Sequence, residues 1–144
     1  MILMNWIRSD DGGFTAFQVQ VSHEKLARFI HGQFLAHMQT IYCHEQIALA
    51  IYKTLATNAS DPVRRDVFLR LADTETRQLA RRAEMLKRLN ACIPSSCDTL
   101  RGRIWRQLLT RLGHRYALAW IKHIKKGDIR RQMELARLLK TLSE

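Results

Sequence analysis

At 144 residues the chain has the length of one domain, enough to bury about two-thirds of its unfolded surface. Hydrophobic residues make up 47% against only 6 Gly and 2 Pro, which argues for long helices and against a turn-rich all-β fold. The net charge is +11, and residues 101 to 144 hold 12 basic against 3 acidic groups, so +9 of it lies in the last 44 residues. A block of that kind attracts lipid headgroups or nucleic-acid phosphates in a salt-dependent way, although its commonest use is a solvated helix face.

Residues 1 to 21 read as an N-terminal arm ahead of a helical domain over 22 to 144. Asp10-Asp11-Gly12-Gly13 is a turn signal, and Phe14 to Val21 alternates loosely, as a pairing segment would. Met1 to Ile7 is too short for the apolar core of a secretory signal, and Arg8, Asp10 and Asp11 follow at once. With no such signal and three cysteines, Cys43, Cys92 and Cys97, free thiols in a reducing cytoplasm are expected. No run approaches the roughly 18 to 20 apolar residues that cross a bilayer, so a protein in solution or peripheral to a membrane is expected.

Ser22 is the expected N-cap of a first helix to about Thr57, interrupted or bent only if Gly32 does so. Its inner stripe runs Phe34, Met38, Ile41, Glu45, Ala48, Tyr52, Leu55 at steps of three or four residues. After a short polar link, Asp61 caps a second helix with Pro62 at its first position, and the stripe Phe68, Leu71, Glu75, Gln78, Arg82, Met85, Leu89 carries it to about residue 89. Two long amphipathic helices joined this closely are antiparallel neighbours. Further helices are expected over 100 to 126, broken near Gly113, and 128 to 142, capped by Asp128 after Gly127. The apolar face of this region is read as Ile104, Leu108, Leu112, Ala117, Ile121, Ile124, Ile129, Met133 and Ala136. The fold class is all-α.

A carboxylate stands in the middle of each long stripe, where an unpaired charge costs several kcal/mol. Helical bundles that bind two metals place a Glu on one helix and Glu-x-x-His on the next, and repeat the set in a second hairpin. Here the first half reads Glu45, then Glu75-x-x-Gln78, with a weak neutral amide oxygen in place of the imidazole. The metal candidates are Glu45, Glu75 and Gln78. The competing reading is an ion pair with Arg82, Arg77 or Lys53. His37 lies two turns before Glu45 and His44 points about 100° away from it, so both read as surface or core histidines. Cys92 and Cys97 sit in a Pro-Ser loop where a disulfide between them or a metal site is the alternative to free thiols, but no second Cys or His pair accompanies them.

The segments Glu45-Gln46-Ile47-Ala48-Leu49-Ala50-Ile51-Tyr52, Asp61-Pro62 and Leu71-Ala72-Asp73-Thr74-Glu75-Thr76-Arg77-Gln78 resemble the first hairpin of ferritin-like proteins of the rubrerythrin type. They are most similar to the ferritin-like domain of some vacuolar-iron-transporter-family proteins, and the likeness extends over roughly His31 to Leu139. The resemblance implies a ferritin-like helical bundle and a role in iron handling, with a di-iron centre and iron or peroxide chemistry. Gln78 departs from the motif, and a second ligand set is missing up to Glu144, which could itself begin one. The bundle therefore reads as incomplete or truncated and the site as degenerate, with iron or no cofactor held. Ferroxidase activity is expected only if another chain completes the site.

The alternative reading is a non-catalytic basic module that binds a membrane surface or partner helices. Arg101, Arg103, Arg106, Arg111, Arg115, Lys122, Lys125 and Lys126 interleave with Trp105, Tyr116 and Trp120, a mixture suited to an anionic membrane interface. Nucleic acid ranks below it for want of a motif. The short last helix leaves the stripes of the first two helices partly uncovered, and a homodimer is expected to cover them.

Overall fold

A computed structural model of the chain describes residues 2–8, 14–20, 22–95, 97 and 100–143; side chains are described from residue 22 onward, those of residues 100–102 and 105 excepted. The turn signal at Asp10 to Gly13, the side chains of Arg101 and Trp105, and Glu144 lie outside the described residues. The chain forms an all-α helical bundle preceded by a two-stranded hairpin, β1 (Ile2–Arg8) and β2 (Phe14–Gln20). The expected pairing arm is thus antiparallel with itself, in a register from Ile2↔Gln20 to Arg8↔Phe14.

The helix α1 (His23–Asn58) is the centre of the bundle, and α2 (Pro62–Arg88), α3 (Leu100–Leu112) and α4 (His114–Ser143) all pack against it. Its start follows from Ser22, whose hydroxyl accepts a hydrogen bond from the Lys25 N–H at 3.3 Å, satisfying one of the otherwise open donors of the first turn. It runs unbroken through Gly32. Asp61 caps α2 by accepting from the Val63 N–H at 3.1 Å, with Pro62 in the first turn where a missing N–H is harmless. At the other end Asn90 takes the left-handed conformation, φ 53°; its N–H bonds to the Lys87 carbonyl and that of Ala91 to Leu86. This is a Schellman closure with Asn in the place usually taken by Gly.

Gly113, at φ 104°, separates α3 from α4 as expected. The expected second break does not occur: α4 passes straight through Gly127, and Asp128 is a buried residue inside the helix rather than its cap. Apolar spacing on both sides of one glycine outweighs a helical penalty of only about 1 kcal/mol.

Two apolar clusters form the core. The larger joins Ala48, Ile51, Tyr52, Leu55 and Ala56 of α1 to Phe68 and Ala72 of α2, Leu109 of α3, and Ala117 and Ile121 of α4. The smaller joins Met38, Ile41 and Leu86. On α1 the expected stripe is the buried one, but on α2 it turns away at its end, where Leu86 is fully buried and Met85 is 41% exposed. On α3 the inner residue is Leu109, and Ile104, Leu108 and Leu112, expected inside, face outward.

One disulfide, Cys43–Cys97, ties α1 to the connection between α2 and α3, with its Cα atoms 5.0 Å apart. It corrects the expectation of free thiols at these two positions and removes the ground on which a reducing cytoplasm was expected. Cys92 is free and exposed. Among the described residues no helix is long and apolar enough to cross a membrane.

Candidate functional site

Between the two apolar clusters lies a polar layer, and it contains both glutamates. Glu45 is one turn from Ile41 and from Ala48, so the spacing that buries those neighbours leaves the carboxylate only 5% exposed. Glu75 follows Phe68 and Ala72 inward on α2 and is 3% exposed. Neither stands alone. Arg82, two turns beyond Glu75, reaches across to α1, where its Nη2 donates to Glu45 Oε1 at 2.9 Å and its Nη1 lies 3.7 Å from Met38 Sδ. Lys125 enters from α4; its Nζ donates to Glu75 Oε1 and lies 3.4 Å from Gln78 Oε1.

A third pair locks α4 to α1. His44 Nδ1 lies 2.9 and 3.1 Å from the two carboxylate oxygens of Asp128, so this nitrogen carries a proton and donates to them. His37, two turns earlier, donates from Nε2 to the main-chain carbonyl of Asp128 at 2.9 Å. Tyr52 is buried beside the layer. Desolvation, and after it the negative charge of Glu75, pushes its phenol above the ordinary value and keeps it protonated.

The layer opens into a cavity of about 400 Å³ between α2 and α4, floored by Ile41, Glu45 and Ala48 of α1 and walled by Gln78, Arg82 and Met85 on one side and by Trp120, Ile124, Lys125 and Ile129 on the other. Three buried polar atoms lack a partner among the described residues: Glu45 Oε2, Glu75 Oε2 and Arg82 Nε.

The structure buries Glu45 and Glu75 and sets Gln78 beside Lys125, but puts two cations there with them. Of the ion-pair partners expected for the glutamates, Arg82 is found at Glu45, whereas Arg77 pairs on the surface with Asp73 and Lys53 is exposed. Lys125, read from sequence as surface charge, is the partner of Glu75. A two-metal centre needs several anionic or imidazole donors converging on each ion, with no fixed cation among them. Here each glutamate has one oxygen engaged by Arg82 or Lys125, Gln78 brings no charge, and no group of three or more His, Cys, Asp or Glu able to hold a metal occurs among the described residues. The residues present do not fit a di-iron group.

Besides Lys125 with Glu75, sequence reading missed the pairing of His44 with Asp128. The signal was there in the spacing Ala117, Ile121, Asp128, Leu135, all buried on α4, but reading Gly127 as a break hid it. Comparison with known protein families, curated proteins and solved structures finds no match.

Proposed function

We propose that this chain is a ferritin-like domain whose metal layer has become a set of internal ion pairs, and that it works as a non-catalytic module on anionic membrane surfaces. The observation that supports the membrane reading is the outer face of α3. Ile104, Leu108 and Leu112, at steps of four residues, are 58%, 44% and 54% exposed, and Tyr116 just past Gly113 is 64% exposed. Arg111 lies three residues beyond Leu108 on the same face, and Arg115 follows. From Thr99 to Gly127 the sequence contains no Asp or Glu. An apolar stripe bordered only by cations is what lets a helix lie in the headgroup region, its apolar side in the acyl boundary and its arginines on anionic lipid.

Co-sedimentation with phosphatidylserine-containing and with neutral phosphatidylcholine vesicles tests this. The anionic vesicles should bind the chain at physiological salt, and Leu108→Ser with Leu112→Ser should weaken that binding about tenfold or more, since each buried CH₂ contributes about 0.8 kcal/mol. Duplex DNA bound as well as the vesicles, together with indifference to the two leucines, would reduce the patch to plain charge attraction and refute the proposal.

A further inference from the structure

The open side of the bundle carries a second surface, separate from α3. The helices α2 and α4 both pack on α1, yet among the described residues their backbones do not come within 8 Å of each other at any Cα. The space between them is the groove above the polar layer. Its α4 wall runs from Trp120 to Gln132, about 18 Å at the helical rise, which is the length of a three-turn helix. The rims are apolar and uncovered: Met85 on α2 is 41% exposed, and Ile129 and Met133 on α4 are 60% and 54% exposed.

The charges around the groove choose the occupant. Its own acids each already have a partner at one or more oxygens, Glu45 Oε1 at Arg82 and Asp128 at His44. Arg81 is exposed on the α2 wall, and on α4 the exposed Lys122 and Lys126 precede Ile129 at steps of four and three. We infer that the α2–α4 groove docks an amphipathic helix of about three turns from an acidic partner protein, its apolar residues against Ile41, Ile124 and Ile129 and its carboxylates on Arg81, Arg82 and the α4 lysines. A second copy of this chain, itself at +11, is the poorer electrostatic match.

The probe is a fluorescent synthetic peptide of about 18 residues, Leu at positions i, i+4, i+7 and i+11 with Glu on both flanks, read by anisotropy against a scrambled peptide of identical composition and a version with Lys for Glu. The ordered acidic peptide should bind at least about tenfold more tightly than either control. Ile129→Asp, at an exposed position the helix tolerates, should abolish the preference, while Leu108→Ser on α3 should leave it intact; far-UV circular dichroism verifies that both variants are folded. Equal binding of ordered and scrambled peptides overturns the inference, because charge alone then explains it. So does a preference that survives Ile129→Asp. A concentration-dependent dimer in light scattering that Ile129→Asp dissolves also overturns it, since the occupant is then another copy. Because α3 and the groove respond to different variants, failure here leaves the membrane reading to its own test.

Discussion

Glu45 is 5% exposed and accepts a 2.9 Å hydrogen bond from Arg82, a guanidinium that never loses its proton. Removing one partner leaves the other charged, buried and unpaired, which costs about 3 to 5 kcal/mol, whereas replacing both by apolar groups of similar volume is often close to neutral. Arg82→Met should therefore destabilise by about that amount in urea unfolding, and adding Glu45→Leu to it should restore most of the loss. Costs of the two substitutions that simply add would show that the pair is not coupled. Arg82 was legible in sequence as a partner for a buried glutamate because it lies on the same stripe as Glu75. That it would choose Glu45 was not, because the choice depends on how the two helices are set across from each other.

The helices themselves were legible where caps and periodicity agree. Ser22, Asp61 and Pro62 mark the starts of α1 and α2, and the helices end at Asn58 and Arg88, each within one residue of the bounds expected at about Thr57 and Leu89. Agreement failed in the last third. A glycine signals either a left-handed turn or merely a missing side chain, and only the backbone angle distinguishes them. Gly113 takes φ 104° and ends α3; Gly127 sits inside α4, where a Cβ would meet nothing within 4 Å. Gly127→Ala should accordingly stabilise the protein by about 0.5 to 1 kcal/mol, and Gly113→Ala should destabilise it. Thermal melts that show loss for both would mean that α4 breaks at Gly127 after all. The outward face of α3 was misread for a related reason. Its spacing of four is that of any amphipathic helix, and spacing does not say whether protein or something else covers the apolar side. The Cys43–Cys97 bridge, spanning 54 residues, had no local signature at all.

Around α1, the described residues of α2 come within 8 Å at Cα of neither α3 nor α4, and the space toward α4 is the groove above the polar layer. Its polar layer is balanced by charges from three helices, with Lys125 and Asp128 from α4 joining those of α1 and α2. In that arrangement the cations hold the helices together in the role that the resemblance would give to metal ions. Lys125 shows how the parts depend on each other: it reaches Glu75 of α2 from α4 because both helices pack on α1. The claim that ion pairs have taken the place of a metal centre is tested most directly by anaerobic calorimetric titration of the disulfide-bonded chain with ferrous iron, alongside Glu45→Ala and Gln78→His. The account predicts no saturable binding in any of the three, Gln78→His included, because a new imidazole does not displace Arg82 and Lys125. Saturable binding by the wild type that Glu45→Ala abolishes and Gln78→His tightens would contradict it.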